Sequence, residues 1–115
     1  MASTYEKRPW LKNYPEWATS DLEITPDTAI GDFEKSAGLN PETPAIYYFD
    51  HVITYREIDR LSDQLAAAFE DIGLGKGDRI VIDLQNVPQF LIATYAAWRV
   101  GAIVVPLNPM YKEKE

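Results

Sequence analysis

The chain has 115 residues, 46% of them hydrophobic and 25% charged, with a formal net charge of −7. That is the length of one small globular domain, in which roughly two-thirds of the unfolded chain's surface can be buried. With no cysteine and one histidine, the sequence excludes a disulfide framework, a cysteine zinc site, a thiol nucleophile and any multi-histidine metal centre. Its acidic balance argues against nucleic acid and against an anionic membrane as partners.

No apolar stretch follows Lys7-Arg8, so the N-terminus does not read as a secretory signal. Residues 1–24 place Trp10, Leu11, Tyr14 and Trp17 without a helical or strand period. Aromatics at this density predict an extended arm lying on a folded body. Residues 25–115 follow as the body. A first helix is expected with Thr25 as its cap, Pro26 in its first position and Gly38 at its end. Ile30, Phe33 and Ala37 share one of its faces. After the loop Asn40–Pro44, Ala45–Phe49 and Val52–Thr54 read as two strands joined by Asp50-His51, a β-hairpin.

The next helix is the best specified. Thr54 and Glu57 form a capping box, each side chain positioned to bond the other's backbone N–H. Ile58, Leu61, Leu65, Ala68, Phe69 and Ile72 then recur at helical spacing, and Gly73 supplies a left-handed stop. Arg79–Leu84 reads as a strand. A helix starts near Pro88, capped by Asn86 or its neighbour, and ends at Gly101; Ile103–Leu107 is a second strand. Strand, helix and strand with short links predict a parallel βαβ unit.

Phe90–Leu107 contains one charge, Arg99, and is long enough to raise a membrane span. Gly101 and the β-branched run Ile103-Val104-Val105 divide it instead into a buried helix and a buried strand. The helix is apolar around nearly its whole circumference, which predicts burial on all sides. Both strands are continuously apolar, so both faces of their sheet call for cover. One long and one short amphipathic helix cannot provide it. The expected fold class is therefore α/β, an incomplete layered segment, with exposed apolar surface on the βαβ unit covered by the remainder of a longer chain or by a second copy. The terminal Lys112-Glu113-Lys114-Glu115 reads as a helix start.

Reactive constellations are few. Gly73, Gly75 and Gly77 lie between helix and strand, the wrong order for a dinucleotide loop, and Gly77 stands where a Walker loop needs Ser or Thr; they read as a helix stop and a turn. His51 sits in a hairpin turn with no nucleophile motif beside it. The pairs Asp59/Asp63 and Glu70/Asp71 read as the wet face of a helix.

Four ordered motifs carry a resemblance. Ile53-Thr54-Tyr55-Arg56-Glu57-Ile58 resembles the Leu-Thr-Tyr-x-Glu-Leu motif of the adenylate-forming (acyl-CoA synthetase) superfamily. Gly75-Lys76-Gly77-Asp78-Arg79-Ile80-Val81 resembles its Pro-Gly-Asp-Arg-Val strand entry, and Asn86-Val87-Pro88-Gln89-Phe90 its Asn-Ser-Pro-Glu-Phe helix start. Trp98 to Asn108 resembles its Leu-Lys-Ala-Gly-x-x-x-Val-Pro-Leu-Asp/Asn motif. Pro9-Trp10-Leu11 with Tyr14-Pro15 is similar to the start of fatty-acyl-CoA ligases. The resemblance implies that residues 25–115 open the large N-terminal domain of a ligase that activates a fatty acid with ATP and Mg²⁺ and passes it to coenzyme A. With neither a secretory signal nor a membrane span read from the sequence, the expected location is the cytoplasm, with peripheral membrane association open to the parent enzyme. The family's phosphate loop, acidic motif and C-terminal lysine have no counterpart in these 115 residues. No catalytic, cofactor-binding or metal residue is therefore assigned, and the segment alone is expected to be inactive. The alternative expectation is a stand-alone truncated paralogue acting as an interaction or regulatory module.

Overall fold

A computed structural model describes residues 5–24 and 26–111. Among these residues three α-helices and four strands follow one another in the order α1 (Ala29–Leu39), β1 (Pro44–Tyr48), β2 (His51–Thr54), α2 (Tyr55–Asp71), β3 (Arg79–Ile82), α3 (Pro88–Arg99) and β4 (Ile103–Pro106). β1 and β2 form an antiparallel hairpin, and β3 and β4 a separate parallel pair with Ile80 opposite Val104. The α/β expectation, hairpin then amphipathic helix then βαβ unit, matches this order.

The capping box of α2 is fully formed. Thr54 N–H donates to the Glu57 carboxylate at 2.9 Å, and Glu57 N–H donates to Thr54 Oγ1 at 3.3 Å. The two N–H groups between them, of Tyr55 and Arg56, donate to the carbonyls of Thr43 and Pro41, so every donor of the first turn has an acceptor. At the other end Leu74 N–H reaches back to Phe69 O while Gly73 takes φ +83°, the left-handed stop expected there. Gly101 (φ +76°) ends α3 with the same pattern, Ala102 N–H donating to Ala97 O.

Several expectations need correction. The Thr25 cap lies outside the described residues, as does the helix start at Lys112–Glu115. α1 begins at Ala29, not at Pro26, because the Thr28 hydroxyl accepts from Gly31 N–H at 3.1 Å and caps it there. Gly38 lies inside the helix, whose last turn closes through Asn40 N–H to Ser36 O. The hairpin turn is shifted by one residue: Phe49 and Asp50 make it, Phe49 in the left-handed region (φ 50°), and His51 opens β2. α3 starts at Pro88 as expected, with the neighbour of Asn86, Val87, preceding it, but no side chain caps it; Pro88, which has no N–H to satisfy, stands first.

The core lies between the helices. Phe33, Ala37 and Ile58 form its buried centre, with Ile30, Leu91, Ile92 and Tyr95 packed around them. Phe33 stacks between Tyr55 and Tyr95, at centroid distances of 6.0 and 4.2 Å. α2 also buries Ser62 and Ala66 against α3, where Ala96 and Ala97 are fully buried; small residues let the two helices approach closely. α3 is not buried on all sides, since Trp98 remains partly exposed. On β3, Ile82 is buried while Val81 is 57% exposed; Ile103 on β4 is 47% exposed. One face of the parallel pair is covered and the other is bare. The arm also departs from expectation. It is not simply extended, since Pro9–Asn13 forms a 3₁₀ turn with no buried residue, and Trp17 is 85% exposed. Residues 5–24 fold on themselves through Tyr5–Trp10 ring contact and an Arg8–Asp21 ion pair. The Cα radius of gyration, 19.2 Å, exceeds the roughly 13 Å of a compact chain this long.

Candidate functional site

Parallel sheets place ligands outside the carboxyl ends of their strands. Here that position is a cleft of about 500 Å³, walled by Tyr48, Leu84, Phe90, Leu107 and Met110 with the amides of Gln85, Asn86 and Asn108. It is built by the chain's own turns. Leu107 N–H continues the ladder to Ile82 O at 2.9 Å, and Asn108 Oδ1 accepts from Met110 N–H at 3.0 Å, folding the chain over the strand end. The lining carries no charged side chain. Such a cleft can hold an apolar or amide-bearing group, but apart from the Tyr48 phenol it offers no acid, base or nucleophile, and it offers no cation for a phosphate.

A second constellation joins the helices. The Arg99 side chain, 15% exposed, directs Nη1 to Glu34 of α1 at 2.8 Å, Nη2 to Asp59 of α2 and Nε to Ser62 Oγ at 3.3 Å. Ser62 Oγ itself donates to Asp59 O at 3.0 Å. A planar guanidinium with fixed donors suits three acceptors on two helices, so Arg99 locks α1 and α2 onto α3. Sequence reading noted Arg99 only as the lone charge in an apolar run. That isolation was the available signal, because a charge on a buried helix must find partners. Asp59 is correspondingly not a simple wet-face carboxylate; Asp63, Glu70 and Asp71 are exposed.

The glycine loop is occupied by its own chain. Gly75 N–H donates to Asp78 Oδ2 at 2.8 Å, and Gly77 N–H to Gly101 O at 3.1 Å. The Asp78 carboxylate takes the place an anionic ligand would need. His51 is exposed and apart from the cleft lining. Burial pushes the Tyr95 phenol up, with the neighbouring Tyr55 adding to the shift, which keeps it neutral within the aromatic stack. Among the described residues no group of three His, Cys, Asp or Glu could hold a metal ion, and no helix is long and apolar enough to cross a membrane. The cleft lining supplies neither the cations nor the carboxylates that ATP with its magnesium calls for.

Comparison with known proteins places these features. The family model for AMP-binding enzymes matches residues 33–115. Over 95% of its length the chain is 35% identical to the long-chain-fatty-acid–CoA ligase of Bacillus subtilis, of which it covers 20%. It is 37% identical over 92% of its length to the enzyme of the same name from Yersinia pestis, covering 19%. The chain thus spans about a fifth of the length of the curated relatives it matches. Among solved structures it is similar to the N-terminal subdomain of Klebsiella oxytoca NpsA in complex with 3-hydroxyanthranilyl-AMSN, with a TM-score of 0.72, 29% identity and coverage of 75% of this chain and 22% of that one. It is also similar to the Bacillus subtilis O-succinylbenzoate–CoA synthetase in complex with AMP, with a TM-score of 0.66, 30% identity and coverage of 70% and 21%. The four ordered motifs, the hairpin–helix–βαβ architecture and these matches agree that the chain belongs to the AMP-binding, adenylate-forming enzyme family.

Proposed function

We propose that this chain is a scaffold segment of an ATP-dependent ligase that joins a fatty acid to coenzyme A. In that reaction the carboxylate oxygen attacks the α-phosphorus of ATP and releases pyrophosphate. The coenzyme A thiolate then attacks the acyl carbonyl and AMP leaves. The observation that carries the reading is the match to long-chain-fatty-acid–CoA ligases over 95% of the chain, arm included. In this reading residues 1–24 are an arm, and 25–115 open the large domain in the cytoplasm. Their task is positional: the capping box sets α2, Arg99 fixes the three helices, and β3 and β4 present a strand end from which further structure builds. Phosphate cations, magnesium ligands and the thioester-forming groups come from elsewhere in the polypeptide. The segment by itself does not turn over.

A chimera tests this. The matched fifth of the Bacillus subtilis ligase is replaced by these 115 residues, and fatty-acid-dependent pyrophosphate release is measured beside the isolated chain. The chimera is expected to be active, and the isolated chain silent and without heat on titration with ATP and magnesium. A folded chimera with no adenylation, or ATP binding by the 115 residues alone, overturns the reading.

A further inference from the structure

A groove of about 410 Å³ lies where α1, α2 and α3 meet, apart from the cleft at the strand ends. Its floor is apolar, made by Ile30 of α1, Ala66 and Ala67 of α2 and the Trp98 ring of α3. Trp98 packs on the Tyr95 ring at 5.8 Å yet is 38% exposed. The rim carries charge of one sign. Glu34, Asp63 and Glu70 stand there against Arg99 alone, and Arg99 is already turned to Glu34 and Asp59. Among the described residues no cation pairs with Asp63 or Glu70. The surroundings do not reverse the sign. α1 and α2 together hold seven carboxylates against three cations, Lys35, Arg56 and Arg60. None of the three lines the groove; Arg56 pairs with Glu42, and Arg60 bonds Gln64.

Asp63 and Glu70 are two helical turns apart on α2, so they lie on one stripe at a rise of about 10 Å. That is too far for one metal ion or one ammonium group to touch both. It matches two cations at the same spacing on a partner helix laid along α2. Between the carboxylates Ala66 and Ala67 keep the surface low, so an apolar partner face can settle onto it. The exposed part of the Trp98 ring suits a guanidinium and its methylene stem. A free polyamine would meet the carboxylates but leave this apolar floor uncovered. We propose that the groove docks a basic amphipathic helix of another protein, with Arg or Lys two turns apart and small or apolar side chains between them. The recognition is of the helix-in-groove kind, and its charge complements the acidic rim. The inference goes beyond the ligase reading and does not depend on it.

The test is fluorescence anisotropy of a labelled synthetic helix titrated with the 115-residue chain. The helix has about 18 residues, five turns, with Leu and Ala on one face and Arg two turns apart along it; an acidic twin carries Glu in place of Arg. Binding is expected for the basic helix alone, and salt weakens it. Asp63→Asn with Glu70→Gln should weaken it several-fold, each exposed ion pair being worth up to about fivefold, and flatten its salt dependence. Trp98→Leu should weaken it while keeping the salt dependence, and Trp98→Phe should recover part of the loss. Glu16→Gln with Glu23→Gln makes the same change of charge in the arm and should leave binding as it was. Asp63 and Glu70 are exposed, so their variant tests binding rather than folding. Absence of binding overturns the proposal, as does equal binding of the acidic twin. So does unchanged binding in the Asp63 and Glu70 variant, an equal loss in the arm variant, or full displacement by equimolar spermidine.

Discussion

Two isoleucines of this chain have opposite surroundings. Ile58 is 0% exposed, enclosed by Phe33 and Ala37 at the centre of the helical core, while Ile24 in the arm is 92% exposed. Two arginines repeat the contrast. Arg99 is nearly enclosed and bonds side chains of α1 and α2, whereas Arg8 pairs with a single exposed carboxylate, Asp21. The same side-chain types therefore act in two ways. In the body they fix the relative positions of helices that the sequence keeps far apart; in the arm they organise a local turn and leave apolar surface to solvent. Burial, more than residue type, decides what each is worth.

The largest expected effect breaks this contrast at its centre. Ile58→Ala should destabilise the chain by about 2–5 kcal/mol, since transfer energy and a cavity are both lost. Ile24→Ala should stay within about 0.5 kcal/mol. Chemical denaturation of the two variants measures the difference, and equal losses would mean that the arm is packed in solution. Next comes Arg99→Leu. Glu34 and Asp59 are about half exposed, so water takes up part of their charge. The expected cost is about 1–2 kcal/mol, between that of an exposed pair and a buried one. A double-mutant cycle with Asp59→Asn isolates the pair; zero coupling there would place the cost in packing instead. Thr54→Ala should cost about 1 kcal/mol through the lost cap, and Thr54→Ser should recover most of it.

These residues also separate what was legible in the sequence from what was not. Thr54, Glu57 and Gly73 act within one turn of chain, so spacing alone exposed them. Gly101 and the parallel βαβ unit followed from period and order, and the α/β class with them. The start of α1 was misplaced because Thr25-Pro26 and Thr28 offer competing caps. The choice falls to Thr28, which has Gly31 three residues on to donate to it. Arg99 was missed as a joint because its partners lie 37 to 65 residues away, and no local pattern encodes such a meeting. The arm was expected to pack because it is aromatic. Ring density states how much apolar area a segment carries, but not whether the body offers a face to receive it. The cleft at the ends of β3 and β4 was likewise invisible, since Asn86 and Asn108 meet only after the strands pair in parallel.

The smallest effect sharpens the contrast at its weak end. The Asp21 carboxyl is held below its ordinary value of 3.8, first by the Arg8 hydrogen bond, then by that of Ser20, then by the Arg8 charge. A carboxylate lowered in the folded state adds its stabilisation above the ordinary value and loses it as pH falls through the lowered one. The Arg8–Asp21 closure of the arm is thus complete at neutral pH and opens only in acid. Asp21→Asn should reproduce the acid state at neutral pH. Backbone relaxation of residues 8–21 should then show faster motion, while the melting midpoint of the body stays where it was. A shift of that midpoint would show that the arm is coupled to the Ile58 core after all. The two regions would then be one cooperative unit, and the exposed side chains of the arm would need a partner within the chain.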